Sequence, residues 1–308
     1  MTQLQLKEYS SLISLKDKYT PSMLYINQNE EIINTLLDKL LKENSRLENA
    51  EIPQDYQGKR KLLRGLLTIR EAISLDPEFS QKLDALLQTE LKEKGIVDVE
   101  KLETVSSLVP INPFNQSNKF ILWQGDITQI NADGIVNAAN KHMLGCFQPL
   151  HVCIDNAIHS ASGPQLREEC KTIMAIQGKT EKTGGAKITR GYNLPAKFVL
   201  HTVGPIVPNE TELTEKQRAE LASCYISCLE LANEIAEIKT IAFCAISTGV
   251  FGFPKTEAAN IAIHTVNEWL NRHPNQFEKI IFNVFSDEDY DEYINVFSPR
   301  KSSGDSRG

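Results

Sequence analysis

The sequence predicts an α/β domain with helices packed on both faces of a sheet, preceded by a small all-helical unit. Three observations predict it. From residue 119 onward, short β-rich runs alternate with helical stretches, the order that layers helices on a shared sheet. The runs from Ile135 onward are nearly all apolar, as strands buried on both faces must be. Before residue 95, leucines and isoleucines instead recur at helical spacing.

The helical unit comes first. Ile32, Ile33, Leu36, Leu37, Leu40 and Leu41 align on one helix face. Leu62, Leu63, Leu66, Leu67, Ile69 and Ile73 form a second stripe. Asp76 before Pro77 is a helix start, because the carboxylate can accept an orphan N–H and proline has none to lose. Phe79, Leu83, Leu86, Leu87 and Leu91 follow on one face, and Gly95 suits the stop. The cluster Lys59, Arg60, Lys61, Arg64 reads either as a docking patch or as a solvated helix face. Periodicity is lost over 104–118, where Pro110 and Pro113 stand. The boundary placed there gives a helical accessory domain over 1–110, a sheet domain over 111–300 and a disordered tail over 301–308. Strands are expected at 120–123, 135–136, 198–203, 240–246 and 279–285. Helices are expected at about 164–177, 214–237, 255–272 and 288–297.

Composition removes several functions. A net charge of −7 over 308 residues lacks the basic footprint of general nucleic-acid binding. No apolar run reaches membrane-spanning length, and the first residues lack the apolar core of a signal peptide. A cytoplasmic protein is expected, with no nucleic acid and no membrane as partner. The six cysteines fit reduced thiols better than a disulfide framework in a chain this long.

The stretch 137–163 concentrates the chemistry. It leaves a buried strand as Asn137-Ala-Ala-Asn140 and enters a helix at Ile154-Asp155-Asn156. Between them lie Cys146, His151 and Cys153, ligand types that suit zinc. His151 and Cys153 are two residues apart, so they converge only if one or both lie before the helix. Three protein ligands without an evident fourth would leave an open position, as catalytic zinc sites do. Two core cysteines and a surface histidine fit the spacing equally well. Further on, Ser247-Thr-Gly-Val-Phe-Gly-Phe-Pro254 follows a buried strand and opens a helix, where free N–H groups suit a phosphate. Gly249 to Thr256 approaches a P-loop, but Pro254 stands where its second glycine should be. Nucleoside triphosphate hydrolysis is rejected on that ground.

Asn137-Ala-Ala-Asn140, the loop after it and Ile154-Asp-Asn-Ala-Ile-His-Ser-Ala-Ser-Gly163 resemble the signature of macrodomains, modules that bind ADP-ribose. Most glycines of the common hydrolase loop are replaced by Gly145-Cys-Phe-Gln-Pro-Leu-His-Val-Cys153. That looks like the zinc-dependent branch, bacterial protein-ADP-ribose hydrolases encoded beside a sirtuin-type transferase and a lipoyl carrier protein. The resemblance implies a three-layer α/β/α macrodomain with a mixed sheet over roughly 118–298. It implies Zn2+ on Cys146, His151 and Cys153, and hydrolysis of mono-ADP-ribose from an acidic or other oxygen-linked side chain. A lipoyl carrier protein is the partner it suggests. Asp126 and Ile127 would read adenine. Ser247, Thr248, Gly249, Val250 and Phe251 would hold the diphosphate and distal ribose. Asn140 would position that ribose, Asp155 would be the catalytic aspartate that orients or deprotonates the water or a ribose hydroxyl, and Asn137 would fix the loop. His159 is expected to be packed and hydrogen-bonded. Phe285 is either an adenine-stacking ring or a core residue. Zinc as an orienting Lewis acid is preferred to zinc as an activator of water, because two thiolates cancel its charge. A non-catalytic reader of ADP-ribose and an O-acetyl-ADP-ribose deacetylase are the alternatives.

Overall fold

The computed structural model describes residues 4–22, 29–43, 47, 50–208 and 212–298. The expected tail at 301–308 lies outside them. The described N-terminal helices are α1 (Leu6–Tyr9), α2 (Asn29–Glu43), α3 (Tyr56–Ile69), α4 (Pro77–Lys94) and α5 (Val105–Leu108). The stripes predicted from spacing meet: Ile33, Leu36, Leu37, Leu63, Leu66, Phe79, Leu83 and Leu86 form one buried cluster. Asp76 accepts from the Phe79 N–H at 2.9 Å, and Gly95 ends α4 at φ +88°, a conformation that favours glycine.

The strands are β1 (Phe120–Gln124), β2 (Gly134–Ala139), β3 (Ala186–Arg190), β4 (Phe198–Val203), β5 (Thr240–Cys244) and β6 (Lys279–Val284). They form one six-stranded sheet in the order β1-β6-β5-β2-β4-β3. All neighbours run parallel except β3, which is antiparallel to β4. The sheet is therefore mixed, as the resemblance implies. Every residue of β4 and β5 is buried, so both faces are covered. Helices α6 (Ile154–Ser162) and α7 (Pro164–Gln177) pack together, as do α8 (Glu215–Asn233), α9 (Lys255–Arg272) and α10 (Asp287–Phe297). These are the two helical layers. No described helix is long and apolar enough to cross a membrane. The six cysteines are free thiols.

Strand β3 is absent from the expected set. Its sequence, Ala-Lys-Ile-Thr-Arg, offers two apolar side chains. It is buried because Lys187 pairs with Glu181 and Arg190 with Glu169. The N-terminal segment also departs from the expected division. Leu6, Tyr9, Ile13 and Leu15, with Val99 and Val105, belong to the core of the sheet unit. The span 1–110 is thus shared between two cores. The Tyr9 hydroxyl accepts from the Ile188 N–H at 3.1 Å, satisfying a donor on edge strand β3.

Candidate active site

Four parallel strands deliver the site residues to one edge of the sheet. Asp126 follows β1, Asn140 follows β2, the 247–251 loop follows β5 and Phe285 follows β6. In sheets of this kind, ligands bind outside the carboxyl ends of the strands. The ends of β1 and β6 are tied by Gly125 N–H to Val284 O at 3.0 Å and Asn283 Nδ2 to Gly125 O at 3.0 Å.

Cys146, His151 and Cys153 converge. Their ligand atoms all lie within 4.8 Å of one another, and each residue is half-buried. The convergence has the cause that spacing demands. Cys153 is the extended residue before α6, and His151 precedes it in the loop. Gly145 opens the loop at φ +81°, where a Cβ would stand 3.0 Å from the His159 ring. Cys146 Sγ lies 3.7 Å from His151 Nδ1. An ion bonded to both at usual zinc distances would separate them by roughly 3.5 Å. Burial, with Cys146 and Asp155 nearby, pushes the Cys153 thiol up to about 11. Thiolates here need a cation beside them, and the donor set fits zinc. His142 is exposed, with its N–H on Asn140 Oδ1, and stands outside this trio.

Asp155 sits in the first turn of α6, 5% exposed. Its Oδ1 accepts from Asn137 Nδ2 at 2.8 Å, and its Oδ2 lies 3.5 Å from Asn140 Nδ2. Burial raises its carboxyl to about 6, against the Asn137 hydrogen bond, which lowers it. Asn140 also donates to Gly145 O at 3.0 Å, so it joins the strand end to the loop that carries Cys146. Asn137 is wholly buried, with its amide between Asp155 and His201.

A second trio lies beneath: His159, Cys170 and His201, all buried, with ligand atoms within 4.8 Å. Its chemistry differs. His201 Nδ1 is 3.1 Å from Asn137 Nδ2, and its Nε2 is 2.9 Å from Thr189 Oγ1. Both ring nitrogens are therefore engaged, with Nδ1 accepting and Nε2–H donating. Burial holds His201 neutral, with its pKa lowered to about 3, and pushes the Cys170 thiol well up. This trio is a buried polar core. His159 departs from expectation in one respect: it is packed, but neither ring nitrogen has a hydrogen-bond partner. Its Nε2 lies 3.5 Å from Asp155 Oδ1.

The remaining residues line the same edge. Asp126 Oδ1 accepts from the Thr128 N–H at 3.0 Å and the Thr128 hydroxyl at 2.7 Å. Among the described residues no donor reaches its Oδ2, and the Ile127 side chain is buried. In the 247–251 loop, Ser247 has φ +67°. Its hydroxyl is buried without a partner. A Cβ on Gly204 would stand 2.0 Å from that hydroxyl, so only glycine fits there. The Thr248 hydroxyl donates to Ala245 O at 3.0 Å. The N–H groups of Gly249, Val250 and Phe251 meet no acceptor among the described residues. Val250 is 71% and Phe285 78% exposed, so Phe285 is not a core residue.

The sequence reading missed residues that act through space. His201 and Thr189 stand behind Asn137. Arg64 Nη2 donates to Asn156 Oδ1 at 2.8 Å, and the Arg167 guanidinium lies 4.4 Å from the Phe147 ring centroid. A lone histidine inside the apolar run 198–203 was the one available signal. Of the basic cluster on α3, Lys59 pairs with Glu30, Arg60 with Glu90 and Arg64 with Asn156, while Lys61 is exposed.

Comparison with known proteins agrees with the fold. Residues 136–262 match the family model described as Macro domain. The chain is 44% identical over 263 residues to a protein-ADP-ribose hydrolase of Treponema medium, covering 85% of this chain and 97% of that one. It is 40% identical over 273 residues to one from Staphylococcus aureus strain MRSA252, covering 89% and 97%. A Trypanosoma brucei macrodomain solved with ADP-ribose is 30% identical, with a TM-score of 0.57, covering 74% of this chain and 92% of that one. An Oceanobacillus iheyensis macrodomain with ADP is 37% identical, with a TM-score of 0.51, covering 57% and 88%.

Proposed function

The chain belongs to the family of macrodomain protein-ADP-ribose hydrolases, and on that premise we propose a zinc-dependent enzyme that removes mono-ADP-ribose from a protein side chain. One observation carries the zinc reading. Three soft or borderline ligands from one loop converge within 4.8 Å, two residues before a buried carboxylate. The linkage is to an acidic or other oxygen-bearing side chain, and a lipoyl carrier protein is the target that the loop's resemblance suggests.

The chain's own groups divide the work. The free oxygen of Asp126 accepts from the adenine amine, and the exposed Phe285 ring stacks on the base. The unpaired N–H groups of Gly249, Val250 and Phe251 receive the diphosphate, with the buried Ser247 hydroxyl as a further donor. Asn140, tied to Gly145 and near Asp155, positions the distal ribose. Asp155 orients or deprotonates the attacking water or a ribose hydroxyl. Cys146, His151 and Cys153 would hold zinc, which when bound supplies a Lewis acid that orients the ribose or the leaving group.

Elemental analysis of protein purified without added metal should find one zinc per chain, lost in Cys153→Ala. Undiminished zinc in that variant would remove Cys153 from the ligand set. Turnover should be faster on a mono-ADP-ribosylated protein than on O-acetyl-ADP-ribose. The reverse preference would make the protein a metabolite esterase.

A further inference from the structure

We infer that the α2–α4 helical unit is part of the catalytic site, with Arg64 on α3 as a positioning residue for the metal loop. The inference rests on the zinc reading above only for its metal readout.

Three contacts join α3 to the loop. Arg64 Nη2 donates to Asn156 Oδ1 at 2.8 Å. Asn156 in turn donates from Nδ2 to Gln148 O at 3.2 Å, and from its main-chain N–H to Cys153 Sγ at 3.4 Å. One side chain of the helical unit thus reaches the metal loop through a single asparagine. That asparagine follows Asp155 directly. The Arg64 Nε is buried without a partner, so the guanidinium is held here by its bond to Asn156 rather than by solvent. Secondly, Arg167 on α7 donates to the carbonyls of Leu67 and Arg70 at the end of α3. The same guanidinium stacks on Phe147, between Cys146 and Gln148. Thirdly, Gly65 faces Pro149 of the loop, where a Cβ would meet Pro149 Cβ at 3.8 Å.

The physical consequence is specific. The loop 145–153 holds no helix or strand of its own, so its ligand geometry must be imposed from outside. Hydrogen bonds to a metal ligand and to its loop orient that ligand. Here such bonds lead back to α3. A unit without a catalytic side chain of its own therefore sets the position of Cys153 and of the first turn of α6.

The test uses the full-length chain. Because Arg64 and Asp126 line one pocket, ADP-ribose affinity is measured alongside in Arg64→Ala, and the zinc and alkylation readouts decide the inference. The variant's zinc affinity, measured by competition with a chelator, should fall roughly 10–100-fold. Its kcat should fall with KM little changed. In zinc-stripped protein, Cys146 and Cys153 should alkylate faster in the variant than in wild type, since the loop has lost its tie. Asn156→Ala should act in the same direction, and the double variant should be no worse than the more affected single one. Arg64→Lys, which keeps the charge but not the fork, should recover part of the loss. If Arg64→Ala proves unstable, Arg64→Lys and Asn156→Ala carry the same comparison. Zinc affinity and alkylation rates equal to wild type in the variants would overturn the inference and leave the zinc reading standing. Absence of zinc from wild type, with faster alkylation in Arg64→Ala, would do the opposite.

Discussion

Phe285 combines a large ring with 78% exposure, so its removal should cost the fold little. Phe285→Ala should weaken ADP-ribose binding by about 1 kcal/mol with an unchanged melting temperature, read by calorimetry on the two proteins. Unchanged affinity would leave the ring without a role in binding. Buried His201 gives a prediction in pH. The unfolded chain takes up a proton at this residue near 6.5, and the folded chain only near 3. Between those values the unfolded state holds the extra proton, so stability falls as pH falls. The slope for one such group approaches 1.4 kcal/mol per pH unit, about the value of one pKa unit. In denaturant titrations at a series of pH values, the difference in slope between wild type and His201→Asn should approach this figure, since other groups such as Asp155 contribute to both proteins alike. Equal slopes would assign the acid sensitivity elsewhere. The residue scale is also where the sequence was most informative. Cys146, His151, Cys153 and Asp155 were legible because they lie within ten positions of one another. His201 was not, since its partner Asn137 is 64 residues away and only the β2–β4 pairing brings them together.

Regular elements were read from periodicity, and they failed where burial depends on partners. The helix at 164–177 and that at 255–272 carry full apolar stripes and stand where spacing put them. Strand β3 carries two charged residues in five. Its place in the core follows from Glu181 and Glu169, which no local pattern reveals. The short helix α1 is a similar case, because Tyr9 belongs to a strand 179 residues away. Tyr9→Phe should leave the Ile188 N–H unpaired and cost about 1–3 kcal/mol, measured by chemical denaturation. A loss near zero would mean that water replaces the hydroxyl at the sheet edge.

At the scale of the molecule, one sheet edge gathers the loops after β1, β2, β5 and β6, and α3 backs the loop that carries Cys146, His151 and Cys153. Asp155 stands where these meet, buried at the head of α6 and bonded to Asn137. Its carboxylate touches no group assigned to holding adenine or diphosphate, so its loss should be felt in the chemical step and not in binding. The direct measurement compares wild type with Asp155→Ala in two assays: release of ADP-ribose from a mono-ADP-ribosylated protein under single turnover, and binding of free ADP-ribose by calorimetry. The account predicts a rate lowered about 10²–10⁴-fold in the variant, with zinc retained and affinity equal to wild type or tighter. An unchanged rate in Asp155→Ala, or a wild type that binds ADP-ribose tightly yet releases none, would contradict it.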